Sequence, residues 1–224
     1  KRMLRLVNQL LEFRKMQNGK LSLSVEETDI ISFLYDRFLD FNDVAEQKGM
    51  DYKFLSSMES YYMYIDQEKV DKIVYNLLSN AFKYTPEKGQ VTFSISINEK
   101  TKECNFQISD TGVGIPKNKR KDLFKRFTQS NLSNDSIGIG LHLSHELVQI
   151  HKGNISYKEN EGGGSIFSVC LPTDSSLYTE NDFVVVKQPQ IQREEEKLEW
   201  NINSKTDLSE PLNKRKILII EDDN

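Results

Sequence analysis

An α+β domain of two layers, helices laid against one face of a sheet, is predicted by three observations. Val91, Phe93, Ile95 and Ile97 alternate with polar residues, and after the turn from Asn98 to Glu103 the residues Cys104, Phe106 and Ile108 alternate again, which is the signature of a hairpin. Ile155 and Tyr157, then Ile166 and the run to Leu171, repeat that arrangement around Gly162-Gly163-Gly164. Elsewhere the apolar residues recur at helical spacing, so helices must cover the apolar face of the strands.

The helical segments come first. Met3, Leu4, Val7, Leu10 and Leu11 define a leading helix that Asn18-Gly19 stops, and Leu6 and Phe13 widen its apolar stripe enough to call for a helical partner. Leu21 to Val25 turns to strand alternation, and Ile30 to Ala45 reads as one amphipathic helix through Ile30, Phe33, Leu34, Phe38, Phe41 and Val44. From Asp66 to Thr85 the N-cap Asp66, the stripe Val70, Ile73, Val74, Leu77, Leu78 and Ala81, and the stop at Pro86 define a further helix. Gly138-Ile139-Gly140-Leu141 opens another, which continues through Leu143, Leu147, Val148 and Ile150. Residues 20–172 therefore form the domain, after a helix over 1–19. The polar stretch 173–213 lacks periodicity and reads as a linker. In 214–224, the apolar run Lys216 to Ile220 ends in Glu221-Asp222-Asp223, as a buried first strand of a second domain would.

Charge and composition narrow the class. With 224 residues and a net charge of −4 there is no broad basic field, and direct nucleic-acid binding is not expected. Cys104 and Cys170 sit in strand-like stretches and read as small buried hydrophobes in a reducing compartment. The sequence contains no run of about eighteen apolar residues and does not open as a signal peptide, so a soluble domain is expected.

Three short patterns carry candidate chemistry, each with an ordinary alternative. On the helix after Asp66, Asn76, Asn80 and Lys83 fall within about 60° of one another. Amide oxygens suit Mg²⁺ held mainly by phosphates and water, and a lysine supplies a point charge for phosphate; a solvated polar face would look the same. Asp110-Thr111-Gly112-Val113-Gly114-Ile115 follows a strand. A carboxylate there can accept from a buried amino group while glycine backbone passes close to a flat ligand, or the segment is an ordinary turn. Gly138 and Gly140 precede a helix and would offer free N–H groups to a phosphate.

In combination these patterns identify a family. Asn76 to Thr85, Asp110-x-Gly112-x-Gly114, Leu123-Phe124-Lys125-Arg126-Phe127, Gly138-x-Gly140-Leu141 and Gly162-x-Gly164-Ser165 resemble, in order, the N, G1, F, G2 and G3 boxes of histidine kinases. The resemblance covers roughly residues 1 to 172. It implies a Bergerat-type ATP-binding fold with a mixed, largely antiparallel sheet, and ATP with Mg²⁺ as ligands. By the same resemblance Asn80 and Asn76 hold the metal, Lys83 contacts phosphate, Tyr84 lies beside the nucleotide and Asp110 reads the adenine amino group. Gly112, Gly114, Ile115 and Ser165 belong to the adenine pocket. Gly138, Gly140 and Leu141 belong to the phosphate loop that ends a lid from about Lys117 to Ile137, anchored by Phe124 and Phe127. Ser136 stands where the family commonly has a third glycine.

The resemblance also orders the chemistry. ATPases of the gyrase and heat-shock type place a glutamate where this chain has Asn76, and a neutral amide is no general base, so transfer to a protein histidine is favoured over hydrolysis. His142, His145 and His151 read as ordinary helix and surface histidines. His145-Glu146 imitates the start of the acceptor motif, but Leu147-Val148-Gln149 follow and break it. The leading helix resembles the second dimerisation helix, whose partner would be the acceptor helix, and this implies a homodimer. Lys216 to Asp223 resembles the first strand of a receiver domain, with Glu221 and Asp222 as its acidic Mg²⁺ pair. A hybrid kinase follows from that, anchored in the inner membrane upstream, with this part in the cytoplasm.

Overall fold

The computed structural model describes residues 22–125 and 139–184, all within one compact unit, Lys1–Val185. The leading helix, Phe127, Ser136, Gly138 and the acidic pair Glu221 and Asp222 lie outside the described residues. The elements are β1 (Glu26–Asp29), α1 (Ile30–Leu39), α2 (Asn42–Gln47), β2 (Asp51–Ser56), β3 (Tyr62–Ile65) and α3 (Gln67–Tyr84). There follow β4 (Gln90–Asn98), β5 (Glu103–Asp110), α4 (Lys117–Arg120), α5 (Gly140–Ile150), β6 (Asn154–Glu159) and β7 (Ser165–Pro172).

The main sheet has five strands in the order β2-β4-β5-β7-β6, and β1 pairs with β3 in a separate small ribbon. Only β2 runs parallel to its neighbour β4; the other pairs are antiparallel, so the sheet is mixed and largely antiparallel as expected. The two predicted hairpins are present, with Ile95 opposite Phe106 and Ile155 opposite Val169. Their buried residues, among them Val91, Phe93, Phe106, Ile108, Val169 and Leu171, face the helices. Cys104 is opposite Leu171 while Cys170 is opposite Asn105, and this one-residue offset directs the two thiols to opposite faces. Both cysteines are free, and burial raises the Cys104 thiol to about 12.

The helix α3 is the central strut. Asp66 caps it by accepting from Lys69 N at 3.1 Å, and Val70, Ile73, Val74, Leu77, Leu78, Ala81 and Phe82 are buried along it. Each such side chain contributes roughly 1.5–3 kcal/mol, more than propensity supplies. Lys48 Nζ donates to Phe82 O at 2.6 Å and so satisfies a carbonyl of the last turn.

Four expectations are corrected. The segment Ile30 to Ala45 is two helices, because the chain turns at Asp40 and Phe41; Val44 is consequently exposed while Phe41 packs on Phe82 at 5.2 Å. Strand structure begins at Glu26, and Val25 makes only an isolated bridge. His151 is not a surface residue but is fully buried. The stretch from Thr173 is not linker as far as Val184. It forms short 3₁₀ turns over Ser175–Leu177 and Glu180–Asp182, and Phe183 pairs in parallel with Val25.

That last segment has a small core of its own. Leu23, Val25 and Tyr178 are buried together, flanked by Tyr64, Ile150 and Phe183. Val25 N donates to Asp182 O at 2.6 Å and Val184 N to Val25 O at 3.0 Å. Beside it Ser24 N donates to Asp66 Oδ2 at 2.8 Å, and Asp66 N donates to His151 Nε2 at 3.3 Å. His151 Nδ1–H in turn donates to Leu147 O at 2.7 Å, so the ring is a neutral core imidazole, and burial holds its pKa below the ordinary value. The chain entering the domain, the start of α3 and the end of α5 are thus tied at one point. Tyr178 is buried and its hydroxyl has no hydrogen-bond partner among the described residues. Tyr178→Ala should cost about 3 kcal/mol in urea unfolding, whereas Tyr178→Phe should stay within about 1 kcal/mol of the parent. A detached linker would leave both variants silent.

Candidate nucleotide site

The predicted residues lie on α3 and on two backbone segments pressed against it. At the C-terminal end of α3, Val113 N donates to the carbonyl of Tyr84 at 3.3 Å, and a Cβ on Gly112 would stand 2.5 Å from that same oxygen. Two turns earlier, a Cβ on Gly140 would stand 2.4 Å from Asn76 Oδ1. At Gly112 the neighbour is backbone, so glycine is required sterically; at Gly140 a side chain would displace the Asn76 amide. The eight residue steps from Asn76 to Tyr84 span about 12 Å of helix axis. Asn80 and Lys83 stand in that interval, bounded by the Gly112 loop at one end and the start of α5 at the other.

Asp110 ends β5 and is buried. Its Oδ1 accepts from Gly112 N at 2.8 Å and from Ser165 N at 3.2 Å. Burial raises its pKa above the ordinary carboxylate range, against the pull of those N–H groups and of the Ser165 hydroxyl. The predicted pair Asp110 and Ser165 is therefore in direct contact. Gly114 has φ +65°, and a Cβ there would meet Gly164 O at 3.1 Å, so the G1 and G3 glycines also pack on one another. Ile115 and Leu141 are partly buried against the main core and fix the ends of both glycine segments.

The amides differ in their surroundings. Asn76 is committed to α5, its Nδ2 donating to Ser144 Oγ at 2.8 Å. Asn80 is partly buried and its side chain makes no hydrogen bond to a described residue, which leaves its amide oxygen for a ligand. Lys83 is exposed, and its Nζ lies 5.1 Å from the centre of the Tyr84 ring. Among the described residues, no group of three or more His, Cys, Asp or Glu side chains could hold a metal ion. The donor set here is one of neutral amides, which fits a hard cation that arrives with phosphate oxygens.

Several residues at the site were missed by sequence reasoning. Ser144 and Asn160 are ordinary polar residues on a helix and in a turn, and nothing in their spacing marks them. Arg120 holds the start of the expected lid: its Nε donates to Ile115 O at 2.8 Å, and its guanidinium pairs with Glu159 and lies 5.7 Å from the centre of the Tyr157 ring. His142 Nδ1 bonds Phe124 O at 2.9 Å, and the Phe124 ring lies 5.7 Å from that of His145, so Phe124 anchors that segment on α5.

This constellation, a buried carboxylate beside two glycine segments folded onto one amide-bearing helix, matches known proteins. Residues 65–175 match the family described as Histidine kinase-, DNA gyrase B-, and HSP90-like ATPase. Histidine kinase P4 of Formosa agariphila is 32% identical over 234 residues, covering 98% of this chain and 17% of that protein. Sensor histidine kinase TmoS of Ectopseudomonas mendocina is 35% identical over 179 residues, covering 77% of this chain and 18% of its own length. The chain thus spans under a fifth of these curated relatives. The crystal structure of full-length ShkA in complex with AMPPNP superposes with a TM-score of 0.68 at 26% identity, over 76% of this chain and 35% of that one. Together the domain and its relatives support the catalytic domain of a sensor histidine kinase, with the mixed α/β sandwich of that class.

The turn over Gly162 to Gly164 offers a control on these close contacts. Gly163 and Gly164 have nearly the same φ, +108° and +105°, but a Cβ on Gly163 meets nothing within 4 Å while one on Gly164 would stand 2.0 Å from Asp110 O. Gly163→Ala should cost on the order of 1–2 kcal/mol from backbone conformation alone. Gly164→Ala should cost clearly more in the same urea titration, because Asp110 must also move.

Proposed function

We propose that this chain is the ATP-binding core of a hybrid sensor histidine kinase, which binds Mg-ATP and passes the γ-phosphoryl group to a histidine on an acceptor helix outside this sequence. The observation that carries the reading is the carboxylate of Asp110, buried at a loop whose backbone rests on the end of the helix bearing Asn80. Asp110 accepts from the adenine amino group, and Gly112 and Gly114 let the backbone approach the ring. Asn80 supplies an amide oxygen to the metal, with Asn76 offering Oδ1 beside it, and Lys83 and the Gly140 end of α5 face the phosphates. Mg²⁺ would supply charge neutralisation of the phosphate oxygens.

In the transfer, a bond forms from an imidazole nitrogen to the γ-phosphorus as the bond to the bridging oxygen breaks, and ADP leaves with that electron pair. The protein positions and offsets charge; it lends no base for water. Asn76 stands where a hydrolase of this fold carries glutamate, and its amide nitrogen is spent on Ser144. This favours transfer over hydrolysis.

The parent reading extends to a homodimer formed through the leading helix, a receiver domain opening at Lys216 with Glu221 and Asp222, and a membrane-anchored sensor whose cytoplasmic part includes this domain. The P4 match runs through nearly all of the chain, so the similarity extends beyond the ATPase-like segment. Among the described residues no helix is long and apolar enough to cross a membrane.

Asp110→Asn and Asn80→Asp should each lower Mg-ATP affinity or transfer at least about tenfold by calorimetric titration and labelled phosphate, and wild-type values in both would reject the assignment. The chain alone should form no acid-labile phosphohistidine. The pH dependence has a fixed sign. The adenine amino group needs the ionised carboxylate, and burial raises the Asp110 pKa, so affinity should fall as pH drops through that raised value. A flat profile down to the ordinary aspartate range would contradict it.

A further inference from the structure

We infer that Asn160 is a positioning residue for base recognition, acting through the main chain of Asp110; this rests on the reading of Asp110 as the group that accepts from adenine. The β5–β7 ladder ends at Ser109 opposite Ile166, one residue short of Asp110. There the side chain of Asn160 takes over: its Nδ2 donates to Asp110 O at 2.8 Å. Asp110 lies opposite Val91 of β4 on its other side, and its carboxylate accepts from Gly112 N and Ser165 N. Asn160 therefore holds the Asp110 carbonyl at the point where the β5–β7 ladder ends.

Asn160 also closes the turn that brings Ser165 to Asp110. Its N–H donates to Gly164 O at 3.3 Å and its carbonyl accepts from Gly163 N at 3.0 Å. Gly162, Gly163 and Gly164 all have positive φ, so this turn lacks side chains that could fix it by packing. Gly164 lies so close to Asp110 O that a shift of the turn is passed to Asp110 directly. Asn160 thus connects the G3 turn to the orientation of the carboxylate without touching ligand itself. A side chain that cannot donate, such as Ala or Asp, leaves the Asp110 carbonyl without this partner.

The test compares ATP with purine riboside triphosphate, which lacks the exocyclic amino group, by calorimetric titration of the whole chain with Mg²⁺ present. The wild-type chain should prefer ATP. Asn160→Ala should weaken ATP about tenfold and the amino-free nucleotide less than twofold, and Asn160→Ser, which keeps a donor, should recover part of the preference. If Asn160→Ala does not fold, Asn160→Ser and Asn160→Asp carry the same comparison, with the larger loss of preference expected in Asn160→Asp. Equal weakening of both nucleotides, or a preference unchanged from wild type, overturns the role of Asn160. A wild-type chain that binds both nucleotides equally overturns the reading of Asp110 and this inference with it.

Discussion

The close approach of glycine backbone to α3 is the constraint on which the site depends. At Gly112 the loop after β5 rests on the last carbonyl of the helix, and at Gly140 the start of α5 rests on Asn76. These two contacts set the interval in which Asn80 and Lys83 stand. On the proposed reading they let a single helix serve both ends of an elongated nucleotide. A methyl group at Gly112 would push the loop off the helix backbone and one at Gly140 would displace the Asn76 amide, so here glycine supplies close packing more than conformational freedom.

The buried carboxylate depends on the same arrangement. Asp110 leaves water because β4, β5 and β7 bury the strand end, and it is held by backbone N–H groups instead of by a cation. Its raised pKa is the consequence: two donors on one oxygen do not fully replace hydration. Such a group gains from one more donor, which the amino group of the proposed nucleotide would provide. At the opposite ends of α3 and α5, Asp66 and His151 meet the chain entering the domain at Ser24. The helices that frame the site are therefore also the ones that grip the connection to whatever precedes them.

Much of this was legible from residue order. The two hairpins, the helix from Asp66 to Thr85 and the helix after Gly140 followed from period-2 and helical spacing, because each has one apolar face on the common core. The short strand β2 escaped notice, although Tyr52 and Phe54 alternate with Asp51 and Lys53, since its partner β4 is distant in sequence and runs parallel. The turn at Asp40 and Phe41 was hidden because Phe41 stays in helical register while the backbone reverses onto α2. Thr173 to Val184 looked like linker because its apolar residues are few; their burial depends on Leu23 and Val25, about 150 residues earlier. At the site, the glycines and Asp110 could be read from motif spacing. Asn160 and Ser144 could not, since a side chain that bonds a distant carbonyl or amide leaves no local pattern.

The account centres on one ligand spanning both glycine contacts of α3, and amide hydrogen exchange with and without a non-hydrolysable ATP analogue and Mg²⁺ tests it most directly. Protection should rise together in two separate segments, Tyr84 with Asp110 to Gly114, and Asn76 with Gly140 to Ser144. Protection confined to one of them, or no change in either at saturating analogue, would contradict a shared nucleotide pocket.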